Sequence, residues 1–125
     1  MDRSGVESWK GVSRTELLGR RGESMAFHLR YFEILPGGHS TLEKHEHTHA
    51  VIAVKGKGQA EVGSRVWGMK PLDVCYTSPW EVHQFRCPKD AQESFGFFCI
   101  VDAVRDKPVL VDANGREVTA ASSCG

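Results

Sequence analysis

The sequence carries no excess charge of either sign, since sixteen Lys and Arg balance sixteen Asp and Glu. A dedicated nucleic-acid binder or polybasic membrane binder needs a one-sided field to hold phosphates, so neither partner is expected. Long apolar runs are missing too. The longest, Ala50–Val54 and Phe97–Val101, fall far short of the ~20 residues that span a bilayer. Cysteine is sparse and scattered, at positions 75, 87, 99 and 124, with no CxxC pair. That excludes a dense disulfide framework and predicts buried free thiols at Cys75 and Cys99. Residues 1–7, Met-Asp-Arg-Ser-Gly-Val-Glu, lack an apolar signal core, so a cytoplasmic location is expected. Helical periodicity is almost absent, and only Ser13 to Arg21 hints at one short helix.

What is present is one domain's worth of chain, 125 residues at 40% apolar composition, enough for a single core. Turn signals recur at short intervals: Gly22, Pro36-Gly37-Gly38, Gly56, Gly58, Gly63, Gly68, Pro71, Pro79, Pro88 and Gly96. Between them lie short runs with strand chemistry. Phe27 to Ile34 alternates bulky and polar positions, Ala50–Val54 is β-rich, and Gln59–Val62 with Ser64–Trp67 flank Gly63 as a hairpin. Asp73–Thr77, Val82–Phe85 and Ser94–Val101 follow in the same manner. Many short strands punctuated in this way predict an all-β sandwich or barrel. From about Arg105 the residues become polar and small, predicting a packing arm and a frayed tail that holds Cys124.

The chemistry concentrates in histidine. Three of six histidines fall within His45-Glu46-His47-Thr48-His49, which opens into an apolar strand. On a strand His45 and His47 share a face and can both reach one cation, and neutral imidazole suits Zn, Cu, Fe and Ni. His49 would lie about 13 Å from His45 on a straight strand, so it joins only if the chain bends. His83 follows 34 residues later, in Trp80-Glu81-Val82-His83-Gln84-Phe85, a turn feeding a strand.

The run from Gly38 through His45, His47 and His49 to Gly56 resembles the first motif of the cupins. That motif is a glycine, HxH, three or four residues, a glutamate, six residues and a glycine. The segment Leu72-Asp73 through Pro79 to His83 and Phe85 resembles the second motif, which supplies the last ligand. Counting back seven from Gly56 puts His49 in the glutamate position, as in the all-histidine cupins. In the second motif, Leu72 and Trp80 stand where the family has glycines.

The resemblance spans roughly 27–101 and implies a jelly-roll barrel (the double-stranded β-helix) with inward-pointing ligands His45, His47, His49 and His83. It implies an N-terminal arm over 1–24, the barrel over 25–104 and a C-terminal arm with a flexible tail over 105–125. It also implies a divalent transition metal (Fe, Mn, Ni, Cu or Zn), a small-molecule substrate, and a homodimer sharing edge strands. Arg30 is the candidate for an anionic substrate, with Tyr31, Trp80 and Phe85 lining its pocket, while His28 and His39 are expected to be structural. No residue declares itself as a general base. The expected chemistry is therefore a dioxygenase-like metalloenzyme or a metal-dependent isomerase, or else a non-catalytic barrel that binds or senses a small molecule or metal.

Overall fold

The computed structural model describes residues 9–114 and 116–118, and the tail expected around Cys124 lies outside them. Among the described residues eleven strands form an all-β jelly roll: β1 (Lys10–Leu18), β2 (Phe27–His39), β3 (Glu43–Lys44), β4 (His49–Lys55), β5 (Gly58–Val62), β6 (Arg65–Met69), β7 (Val74–Thr77), β8 (His83–Arg86), β9 (Phe95–Asp102), β10 (Val109–Val111) and β11 (Glu117–Val118). One sheet runs β1-β2-β9-β4-β7 and the other β6-β5-β8-β3-β10-β11, every described pairing being antiparallel. They join where the end of β2 pairs with β8, at His39 opposite Arg86. No helix of the described residues is long and apolar enough to cross a membrane.

Alternation along the strands decides what faces inward. Alternating buried positions include Arg30, Phe32 and Ile34 on β2, His49, Val51 and Ala53 on β4, and Phe97, Cys99 and Val101 on β9. Cross-strand register stacks these into layers. At one end lies a row of His28, Val101, His49 and Thr77, and next to it a row of Arg30, Cys99, Val51 and Cys75. Further in, Phe32 stacks on Phe97 at 5.4 Å, and Phe85 from the opposite sheet meets Phe97 at 5.2 Å. The interior is thus aromatic at one end and polar at the other. Burial of the aromatic layer drives the fold at about 25 cal/mol per Å² of apolar surface, and the polar layer is where chemistry can reside.

Three local expectations change. Ser13 to Arg21 is not helical, because most of it belongs to β1, which pairs with β2 from Val12 to Leu18 and satisfies its backbone groups there. Pro36-Gly37-Gly38 does not end a strand. β2 continues through it to His39, with Gly37 at φ 82° and the chain tied to Cys87 by Gly37 N–H to Cys87 O and Cys87 N–H to Gly38 O. The segment after Arg105 contributes β10, which pairs with β3, and β11. The expected hairpin forms with the two-residue loop Gly63-Ser64, Gly63 supplying φ 61°.

The two described non-glycine residues with positive φ are Leu72 (77°) and Trp80 (64°), the two positions where the cupin pattern has glycine. A side chain in this region costs on the order of 1 kcal/mol or more. Leu72 is 82% exposed and so loses little packing when truncated. Leu72→Gly is expected to raise the unfolding free energy by about 1 kcal/mol, read from urea denaturation, although glycine elsewhere in a strand would lower it. A variant less stable than the parent would show that Leu72 contributes contacts that outweigh its backbone strain.

Candidate metal centre

The four predicted histidines converge at the polar end of the barrel, by a route that differs from the expected strand pairing. His45 and His47 sit on a bent connection between β3 and β4, while His49 opens β4 and His83 opens β8. The bend turns the sequential separation into stacking: His45 lies 3.7 Å from His47 and 4.3 Å from His49, ring centre to ring centre, with planes within 6°. His83 meets His45 edge-on at 4.7 Å and His49 at 5.2 Å. One ligand nitrogen from each of His45, His49 and His83 lies within 4.8 Å of the other two, a group that can hold a metal ion. His47 stands beside this trio, 5.2 Å from His49.

Each ring is aimed by its Nδ1. His45 bonds the carbonyl of His47 at 2.7 Å, His83 bonds that of Glu81 at 2.9 Å, and His47 bonds Asp106 Oδ1 at 2.8 Å. A carbonyl or carboxylate can only accept, so these three Nδ1 atoms donate and their Nε2 lone pairs are left open. His49 Nδ1 meets the Cys99 thiol at 3.4 Å, and Cys99 also accepts from Arg30 at 3.5 Å. All four Nε2 atoms are buried with no hydrogen-bond partner. Four partnerless buried nitrogens in one place, three of them acceptors, are costly without an occupant, and a divalent transition metal fits this donor set.

The carboxylates stand one layer out. Asp106 accepts the Glu46 N–H at 2.9 Å and the His47 N–H at 3.0 Å besides the His47 ring. Burial pulls its carboxyl upward, but these donors hold it well below the usual carboxylate range. Buried Glu43 faces His83 across the β3–β8 pair and accepts from Thr41 at 2.5 Å. Its charge pulls the His83 pKa upward, although burial keeps the net direction downward.

The imidazoles of His45, His49 and His83 are held neutral. Burial, then His83 and His47, pushes His45 down to about 3, and burial followed by His83, His45 and Arg30 lowers His49 strongly. An unfolded histidine takes a proton near 6.5 that these folded ones refuse, so their contribution to stability is complete above that pH. It is lost as pH falls from 6.5 towards 3, by about 1.4 kcal/mol per pH unit for each histidine protonated on unfolding. Chelator-treated protein is therefore expected to show a urea midpoint that drops steadily from pH 7 to pH 4. A flat profile would mean that His45, His49 and His83 are not buried together in the metal-free state.

The other predicted site residues divide. Arg30 is fully buried in the interior, bonds Cys99, lies over Phe32 at 5.3 Å, and acts electrostatically on His49. Phe85 is buried 6.4 Å from His83. Tyr31 lies outside this group: it alternates with Arg30 and Phe32, packs on Phe98 and donates to Glu33 at 2.8 Å, and its phenol is pushed up to about 12 by burial and Glu33. The Trp80 side chain is half-exposed, and its contribution is a backbone N–H bonded to the His45 carbonyl at 2.7 Å. His39 bonds the Ser40 carbonyl, away from the trio.

Sequence reading missed Asp106, Cys99 and Thr77. Cys99 and Thr77 were within reach, because period-two alternation places both on the His49 face. Asp106 carries no local signal, being 59 residues from its partner His47.

The comparisons agree with this architecture. The family model described as "Cupin domain" matches residues 30–101. The 1-methylthio-D-xylulose 5-phosphate methylsulfurylase of Rhodospirillum rubrum is 46% identical over 106 residues, 85% of this chain, and the match spans 65% of that relative's own length. Among solved structures, a cupin-2 domain from Rhodospirillum rubrum gives a TM-score of 0.80 at 43% identity, covering 92% of this chain and 74% of that one. A cupin 2 domain-containing protein from Halorhodospira halophila gives 0.76 at 44% identity, covering 82% and 70%.

Proposed function

This chain is a cupin, and from that premise we propose that it is a metal-dependent enzyme whose histidine centre acts on a small phosphorylated ketose. The observation that carries the metal is the convergence of four buried, partnerless Nε2 atoms at the polar end of the barrel. The ketose phosphate is supported by the 46% identity to a protein named for such a substrate. His45, His49 and His83 would hold the ion, with His47 as a fourth ligand. When bound, it supplies a Lewis acid able to polarise a carbonyl oxygen.

The chain's own groups prepare the surroundings. Arg30 fixes a positive charge beside His49 and Cys99, suited to an oxyanion. Thr77, in the His49 row, carries a buried hydroxyl whose oxygen has no partner. Phe32, Phe85 and Phe97 close the far end against water. Asp106 is committed to His47 and the backbone and is not available as a base.

A homodimer is part of this reading. β7 pairs with β4 alone among the described residues and exposes Val74 and Tyr76, with Leu72 beside them. Light scattering is expected to give twice the 13.9 kDa chain mass. The buried free thiols Cys75, Cys87 and Cys99 support a reducing, cytoplasmic setting.

The test is metal analysis of untagged protein by plasma mass spectrometry, followed by incubation with 1-methylthio-D-xylulose 5-phosphate in thiol-containing buffer under NMR. Metal-dependent consumption of the ketose phosphate is expected. Consumption tied to oxygen uptake would assign dioxygenase-like chemistry instead. No bound metal and no metal uptake would end the metalloenzyme reading and leave a binding barrel.

A further inference from the structure

Beside the histidines, at the same end of the barrel, an open cleft of about 340 Å³ is lined by Arg20, His28, Arg105, Asp106 and Lys107. In a chain with no net charge this gathers three permanent cations around one carboxylate, and that carboxylate is already bonded to His47 and two backbone N–H groups. Glu16, outside the lining, lies 3.9 Å from Arg20 and also acts on Arg105. Arg105 is fixed rather than loose: its Nη1 donates to the Asp102 carbonyl at 2.8 Å and to His28 Nδ1 at 3.0 Å. With Nδ1 accepting, neutral His28 carries its proton on Nε2 and is itself a donor.

The backbone makes room for this arrangement. Gly19, at φ 118°, lies against the His28 ring, and a Cβ there would come within 2.1 Å of His28 Cδ2. The cleft is also joined to the metal centre. His28 faces Val101, and Val101 faces His49, so two strand spacings separate the two histidine Cα atoms, about 10 Å. Asp106 both lines the cleft and orients His47.

We propose that this cleft, through Arg20, His28, Arg105 and Lys107, anchors a phosphate monoester whose carbon chain extends to the histidine centre. Guanidinium and ammonium donors around a dianion form the strongest class of hydrogen bond, and phosphate suits the guanidinium fork. A phosphorylated five-carbon chain can span the separation. The assignment rests on the ketose-phosphate reading above and gives it a location.

The experiment titrates metal-loaded full-length protein with xylulose 5-phosphate, xylulose and inorganic phosphate by calorimetry, and repeats the series with Arg20→Glu/Lys107→Glu. Both side chains are exposed, so the double variant is expected to fold, with circular dichroism and metal content as checks. In wild-type protein xylulose 5-phosphate is expected to bind at least ~10-fold more tightly than xylulose. That advantage should vanish in the double variant while metal content stays unchanged. A preference that survives both charge reversals, or no preference in wild-type protein, overturns the anchor. Inorganic phosphate binding as tightly as the sugar phosphate overturns the reach to the histidines and leaves an anion site. If the protein holds no metal, the enzymatic reading fails, and the same titration still judges the anchor.

Discussion

Replacing His83 with alanine is expected to strip the protein of stoichiometric metal while leaving the barrel folded. His83 is the one ligand candidate contributed by the sheet opposite β4, so without it the remaining rings come from the 45–49 segment alone. A complete divalent site of this type is worth about 10–16 kcal/mol, so one ligand in four corresponds to roughly a 10²–10³-fold loss of affinity. The fold does not depend on that ring. Its described protein hydrogen bond runs to the carbonyl of Glu81, two residues away, whereas β8 is held by backbone pairing to β5 and β3. Plasma mass spectrometry and circular dichroism read the two halves of the prediction. His39→Ala is the control, because that ring bonds the neighbouring Ser40 carbonyl and touches none of the four. Full metal occupancy in His83→Ala, or equal loss in His39→Ala, would show that the ligand set is different.

Asp106→Asn is expected to weaken metal binding by about 10–100-fold, the range typical when the group that orients a ligand imidazole is altered. The charge that makes the His47 ring a better ligand disappears. The amide also brings an NH₂ group against either the Glu46 N–H or the His47 donors, so a donor faces a donor. Competition with a chromophoric chelator measures the change. The outcome also decides the number of ligands. Unchanged affinity would place His47 outside the sphere and leave His45, His49 and His83 as the whole site.

Much of this was readable in the residues, and the exceptions have physical reasons. Alternation located β4, β7, β8 and β9 to within a residue or two, and the spacing back from Gly56 brought His49 to the centre although a straight strand would have kept it out. The bend at 46–47 that reconciles these is tertiary. It is held by Asp106 from beyond β9, and no local pattern encodes a partner 59 residues distant. β1 looked weakly helical because its register is interrupted at both ends, between Lys10 and Val12 and between Glu16 and Leu18. Those interruptions blur a period of two. Leu72 and Trp80 show the reverse case: glycine is missing from the sequence, yet the backbone keeps the conformation that glycine would adopt.

The His45-Glu46-His47-Thr48-His49 segment has a consequence for how the chain matures. Three imidazoles within five residues form a chelator before any strand exists, whereas His83 and Asp106 arrive only after most of the barrel has been synthesised. Copper, nickel or zinc caught early by the nascent segment binds the unfolded chain as well as the folded one. Such capture reduces the stabilisation that metal gives the native state and opposes the bend that Asp106 must close. The order of events, barrel first and ion second, is then a condition for correct loading. Refolding from urea should be slower with excess zinc present at the start than with zinc added after the barrel has formed.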